Sequence, residues 1–95
     1  MTWSVPIRPS QTPDARLEKW TARRTQVGGR IRYLRLERGL SQEALALEAG
    51  VSRNMIIGVE WGRKSIAYER LWDLADVLEV DVAELFRPVV PNSDA

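Results

Sequence analysis

The residue types that most often perform chemistry in proteins are sparse in this sequence. It contains no cysteine and no histidine, which excludes disulfides, thiolate metal sites and cysteine nucleophiles and removes the commonest general base. Catalysis would have to depend on carboxylates or lysine, and no paired constellation of such residues is evident. We therefore expect no enzymatic activity, no catalytic residue, no cofactor and no metal site.

Acidic residues are concentrated late in the chain. This group consists of Glu69, Asp73, Asp76, Glu79, Asp81 and Glu84. Carboxylates at close spacing could bind a cation, but this spacing matches no calcium-binding loop. We interpret the group as a solvated acidic face of the folded domain.

Charge is unevenly distributed along the 95 residues, although the formal net charge is only +1. Residues 1–26 carry five Lys/Arg and two Asp/Glu, residues 27–86 carry eight and ten, and residues 87–95 carry one of each. Because the middle of the chain is slightly acidic, bulk charge does not predict nucleic-acid binding. Any such function would depend on one face of the domain.

Proline and glycine divide the chain into three parts. All five prolines lie at residues 6–13 or 88–91, and all six glycines lie at residues 28–62. We expect a basic, flexible N-terminal extension over residues 1–26 with a helix at about 13–24, one domain over residues 27–86, and a short tail over residues 87–95. Gly28 and Gly29 predict a break or kink where the extension meets the domain.

Apolar spacing predicts that the domain is all-α and compact, with five helices. No segment alternates with period two, and the helices are expected at about 26–38, 41–48, 52–62, 68–78 and 81–86. Ser41 and Ser52 are good N-caps. In the fourth helix, Trp72 and Leu78 are expected to face the core. The longest apolar run, 55–59, is far too short for a membrane span, and no signal-peptide core is present, so we expect a cytoplasmic protein.

The second and third helices have the residue pattern of a helix-turn-helix. This arrangement needs a small residue where the helices cross, a residue that tolerates positive φ in the turn, an apolar residue after it, and two apolar anchors in the second helix. These requirements are met in one register by Ala46, Gly50, Val51, Ile56 and Val59.

Residues 27–86 resemble the XRE-type helix-turn-helix family, which includes the lambdoid phage repressors and Cro proteins. The stretches that carry the resemblance are GGRIRYLRLERGLSQEALALEAGVSRN, IIGVEWGRKS and ERLWDLADVLEVDVAELF. The resemblance implies a five-helix lambda-repressor-like domain that binds double-stranded operator DNA, usually as a homodimer. Its third helix would lie in the major groove.

The resemblance also implies roles for individual residues. It places Arg53 and Asn54 against base edges, which suits the bidentate pairing of Arg with guanine and of Asn with adenine. Ile57, where many relatives carry a polar residue, would contact thymine methyl groups. Phosphate contacts would come from Gln42, Ser52, Arg63 and Lys64. A family salt bridge would join Arg35 to Glu60, and the dimer interface would use Val82, Leu85 and Phe86.

Two functions remain open from the sequence. The first is a sequence-specific transcriptional regulator that acts as a small Cro-like repressor or autoregulator. We expect such a protein to be nucleoid-associated and to be controlled by its concentration, by proteolysis or by a regulatory protein partner. The second is a protein-interaction module that uses the apolar residues Met55, Ile57 and Trp61. The basic residues of the extension would be either an arm along DNA or a solubilising tail; they are Arg8, Arg16, Lys19, Arg23 and Arg24.

Overall fold

A computed structural model describes residues 12–89 of the chain. These residues form four α-helices and one 3-10 helix: α1 (Pro13–Glu37), α2 (Gln42–Ala49), α3 (Arg53–Glu60), α4 (Tyr68–Leu78) and the 3-10 helix Val82–Phe86. The expected all-α domain is confirmed, but the expected fifth α-helix is wrong, because its five residues form a 3-10 helix. No helix among residues 12–89 is long and apolar enough to cross a membrane.

The break predicted at Gly28 and Gly29 is also wrong. Helix α1 is continuous over 25 residues, so the helix predicted at about 13–24 and the first domain helix are one element. The cost of two glycines inside a helix, about 1–2 kcal/mol, is offset by packing. Gly28 is buried against the end of α3, where a larger residue would not fit. Residues 1–11 of the expected flexible extension and residues 90–95 of the tail lie outside the described residues.

The core lies between the helices: α3 packs on α1 and α2, α4 packs on α2, and the 3-10 helix packs on α1 and α4. Its largest side chains are fully buried; they are Ile31, Leu45, Ile56, Leu74, Leu78 and Leu85. The prediction of a core position is confirmed for Leu78 and wrong for Trp72, whose side chain is 51% exposed. Trp72 instead packs edge-to-face on Tyr68, with ring centroids 6.2 Å apart, at the outer side of α4.

Hydrogen bonds and ion pairs tie α1 to the rest of the domain. Gln26 donates to the Phe86 carbonyl at 2.9 Å, and Arg30 donates to both the carbonyl and the carboxylate of Glu84 at 2.9 and 3.1 Å. Arg38 forms an ion pair with Glu79. The second half of α1 is therefore held against the 3-10 helix and the end of α4.

Candidate nucleic-acid interface

Helix α3 is held by its apolar side so that its first turn faces solvent. Ile56 and Val59 are buried in the core, while Arg53 and Asn54 are exposed. The Ser52 side chain accepts a hydrogen bond from the backbone N–H of Met55 at 3.0 Å and begins the helix. Its hydroxyl group retains a hydrogen to donate. The start of α3 therefore presents hydroxyl, guanidinium and amide groups side by side.

The turn between α2 and α3 has the geometry that the sequence predicts. Gly50 adopts the left-handed conformation with φ 73°, which glycine reaches without a steric penalty. The next residue, Val51, donates from its backbone N–H to the Ala46 carbonyl at 3.0 Å. Ala46 is buried where the two helices meet. Arg70 of α4 donates to the Gly50 carbonyl at 2.6 Å, so a residue outside the motif also fixes the turn.

A buried ion pair sets the orientation of α3 relative to α1. Arg35 donates from Nε to one Glu60 carboxylate oxygen at 2.6 Å and from Nη2 to the other at 2.9 Å. It also donates to the Leu40 carbonyl at 2.8 Å. Both charged side chains are almost entirely buried. The salt bridge predicted between these residues is confirmed.

Gln42, expected to contact a phosphate, lies at the start of α2 and is partly buried. Its amide donates to the Glu60 carboxylate at 3.1 Å. Because an amide NH₂ group has two donor hydrogens, this bond leaves one for another acceptor. The buried Glu60 carboxylate thus holds both α1, through Arg35, and the first residue of α2, Gln42.

The loop after α3 brings Arg63 and Lys64 to the surface. Their backbone N–H groups both donate to the Gly58 carbonyl, at 2.8 and 3.1 Å. The Lys64 side chain covers Gly58, since a Cβ built at that glycine would be 2.6 Å from Lys64 Cδ. Arg24 of α1 holds the loop through a hydrogen bond to the Gly62 carbonyl at 3.0 Å. Neither Arg24 nor Arg70 carries a sequence signal for these positioning roles.

Positive and negative charges lie on different elements of the folded domain, which its net charge does not reveal. Between residues 49 and 68 the only acidic residue is Glu60, which is buried and paired with Arg35. The exposed charges of this segment are therefore all positive: Arg53, Arg63 and Lys64. The acidic residues noted in the sequence lie on α4, on the 3-10 helix and at the ends of these elements. No group of residues in the described part of the chain could hold a metal ion.

The remaining candidate residues differ in accessibility. Met55 and Ile57 are partly buried, whereas Trp61 is 60% exposed at the end of α3. Of the three residues assigned to a dimer interface, Phe86 is half-exposed and Val82 is partly buried. Leu85 is fully buried, so it belongs to the core and supports that surface from beneath.

Comparison with known proteins identifies similar chains. Residues 31–85 match the profile of the helix-turn-helix family HTH_3. An uncharacterised HTH-type transcriptional regulator of Sinorhizobium fredii is 35% identical over 65 residues, which cover 68% of this chain and 84% of that one. The transcriptional repressor RstR of the cryptic phage CTXphi in Vibrio cholerae is 38% identical over 65 residues, covering 68% and 59%.

A similar structure is that of the restriction-modification controller protein C.AhdI from Aeromonas hydrophila. It is 38% identical, with a TM-score of 0.67, and the match covers 70% of this chain and 96% of that one. The architecture described above is therefore shared with a restriction-modification controller protein.

Proposed function

The chain belongs to the HTH_3 helix-turn-helix family, and we propose from this premise that it is a DNA-binding transcriptional regulator that recognises a specific operator as a homodimer. The surface charge of the segment from residue 49 to residue 68 carries the proposal. That segment exposes three cations and no anion, although the whole domain is slightly acidic. A polyanionic duplex would be attracted to this segment and repelled by the acidic residues of α4 and the 3-10 helix.

The proposed contacts divide into those that select sequence and those that position the protein. Arg53, Asn54 and Ile57 would face base edges in the major groove, where each good bidentate pair discriminates by about 1–3 kcal/mol. Phosphate contacts would come from residues at the start of α2, at the N-cap of α3 and in the loop after it: Gln42, Ser52, Arg63 and Lys64. Phosphate contacts fix register and carry no sequence information directly.

Dimerisation would use the surface around Phe86 and Val82, with Leu85 beneath it. Two copies related by a two-fold axis would place their α3 helices in successive turns of the major groove, about 34–36 Å apart. A repressor or autoregulator role is supported by the relatives, which include a phage repressor and a restriction-modification controller. We propose a cytoplasmic, nucleoid-associated protein with no cofactor, regulated by its concentration or by a protein partner.

A second candidate function is supported by the exposure of Trp61 beside the partly buried Ile57 and Met55. These apolar side chains could bind a protein instead of a groove. Salt dependence separates the two functions, because affinity through several phosphates falls steeply between about 50 and 200 mM salt. Apolar contact with a protein would respond little.

Selection of duplexes from a randomised pool tests the proposal directly. The purified protein is incubated with the pool, and the retained DNA is amplified and sequenced over several rounds. A two-fold-symmetric enriched site is expected, and an enriched single half-site would keep the DNA function while removing the dimer. Failure of a folded sample to enrich any sequence at low salt would overturn the proposal in favour of the protein-interaction function.

A further inference from the structure

A cavity lies between α1, the loop after α3, α4 and the 3-10 helix. It has a volume of about 230 Å³. Its lining is mostly apolar and is formed by Val27, Val59, Ile66, Leu71 and Phe86. Pockets that hold drug-sized ligands measure about 300–1,000 Å³. This cavity therefore suits a smaller molecule.

The charged residues that line the cavity are all basic. They are Arg23 and Arg24 of α1 and Lys64 of the loop after α3. Within residues 12–89, no acidic side chain lines the cavity. Three positive charges around one cavity repel one another, and an anion placed among them would relieve that repulsion. The rim of the cavity therefore favours a ligand of negative charge.

The three cations have hydrogen-bond donors to spare. Arg24 donates from Nε to the Gly62 carbonyl at 3.0 Å and from Nη2 to the Thr21 hydroxyl at 3.1 Å. Because a guanidinium group has five N–H donors, three remain for an anion. The side chains of Arg23 and Lys64 form no hydrogen bond or ion pair with other residues of the range 12–89. A carboxylate at the rim could thus be bound without the loss of an existing contact.

The apolar lining distinguishes this ligand from nucleic acid. A DNA phosphate could contact the rim, but it has no apolar group to place against Val27, Ile66 and Phe86. A molecule with an anionic head and an apolar body uses both parts of the cavity, because burial of apolar surface is favourable in proportion to its area. The two parts also fix its orientation, with the charged group at the rim.

We propose that this cavity binds a small organic monoanion with an apolar chain or ring, such as a medium-chain or aryl carboxylate. The carboxylate lies between Arg23, Arg24 and Lys64, and the apolar body lies against the cavity lining. Because Lys64 is also a proposed phosphate contact, the ligand and DNA compete for its side chain. This competition rests on the proposed function, whereas the binding site itself does not.

Titration of the full chain with octanoate, followed by NMR spectroscopy of the backbone amides, tests binding and locates the site. Saturable shifts are expected at Val27, Ser65 and Phe86, which line the cavity, with a dissociation constant below about 1 mM. Octanamide has the same chain and a neutral head. It is expected to bind at least about tenfold more weakly, because it gains no Coulomb attraction from the rim.

Removal of two rim charges tests whether these cations recognise the anion. Arg23→Gln/Lys64→Gln is expected to raise the dissociation constant of octanoate by about tenfold. The matched control is Lys19→Gln/Arg32→Gln, which also removes one lysine and one arginine, neither of which lines the cavity. The control should change the constant by less than about twofold, since neither side chain contacts the ligand. All four side chains are exposed, so circular dichroism should report the same helix content for each variant.

Two results would overturn the site. Octanoate that produces no saturable shifts at the cavity, or that binds no more tightly than octanamide, would show that the rim and lining do not act together. Equal losses of affinity in the two double variants would show that the anion responds to net charge and not to Arg23 and Lys64.

The competition with DNA is measured on the selected duplex. Octanoate is expected to weaken duplex binding more than acetate at the same concentration, because acetate lacks the apolar body that the cavity holds. Equal effects of the two anions would overturn the competition at Lys64. Saturable octanoate binding by a protein that enriches no duplex would contradict the DNA function alone.

Discussion

The Val59 carbonyl occupies the space that a side chain at Gly28 would need. A Cβ built at Gly28 would lie 1.9 Å from the Val59 oxygen, well inside any tolerable contact. The atom in the way is backbone, at the end of α3, and cannot rotate aside. Helix α1 therefore approaches the end of α3 closely enough to exclude a side chain at this position, and the same two helices are joined by the ion pair of Arg35 with Glu60.

Substitution of Gly28 by alanine should destabilise the domain, because α1 and α3 must separate to admit the methyl group. Overpacking of this kind typically lowers the free energy of unfolding by about 1–3 kcal/mol, and a backbone clash lies at the upper end or beyond. Gly29→Ala is the matched control, since its added Cβ would meet nothing within 4 Å. That variant should gain about 0.5–1 kcal/mol from helix propensity. Urea unfolding of both variants measures the difference, and equal effects would contradict the close approach.

The ion pair between Arg35 and Glu60 should be costly to break and much less costly to replace. Glu60→Ala would leave a buried guanidinium without its partner, which is expected to lower the free energy of unfolding by about 3–5 kcal/mol. The double variant Arg35→Met/Glu60→Leu should recover much of that loss, because no uncompensated charge remains. Arg38→Ala, which removes an exposed ion pair with Glu79, should cost no more than about 1 kcal/mol. A double variant as unstable as Glu60→Ala would contradict this account.

Removal of single DNA contacts should separate base selection from phosphate binding. Arg53→Ala is expected to cost about 1–3 kcal/mol on the selected duplex and to relax preference at one base position. Arg63→Ala should weaken binding to all sequences alike and reduce the salt slope by about one unit. Both side chains are exposed, so stability should be unchanged in each variant. Fluorescence anisotropy titrations at several salt concentrations measure both quantities, and an Arg53→Ala protein with unaltered affinity and preference would exclude Arg53 as a base contact.

Sequence alone predicted those parts of the fold that depend on local spacing. The helix-turn-helix was predictable because Ala46, Gly50 and Val51 each satisfy a steric requirement of the turn, which the structure meets in the same register. The partnership of Arg35 with Glu60 was predictable only from the family resemblance. Spacing by itself does not relate residues 25 positions apart on different helices.

The errors arose where tertiary packing overrides local preference. Helix propensity alone places a break at Gly28, because propensity does not include the packing that this glycine permits against Val59. On α4, the apolar stripe was drawn through Trp72, but the core side is filled by Leu71, Leu74 and Leu78. When two apolar residues occupy neighbouring angular positions around a helix, the sequence does not decide which of them faces the core, because that depends on the elements packed against the helix. Arg24 and Arg70 hold two distant turns by donating hydrogen bonds to the carbonyls of Gly62 and Gly50. Residue spacing in the sequence does not indicate either contact.

Glu79 should be a site at which glycine stabilises the domain. It follows α4 with φ 56° and is the only residue other than glycine with positive φ among residues 12–89. For a residue with a Cβ this conformation costs roughly 1–2 kcal/mol, whereas its exposed ion pair with Arg38 contributes at most about 1 kcal/mol. Glu79→Gly is therefore expected to raise the free energy of unfolding, by up to about 1 kcal/mol. Arg38→Ala removes the ion pair without altering the backbone, so comparison of the two variants by urea unfolding isolates the conformational contribution. A Glu79→Gly protein less stable than Arg38→Ala, which also lacks the ion pair, would show that glycine relieves no conformational cost at this position.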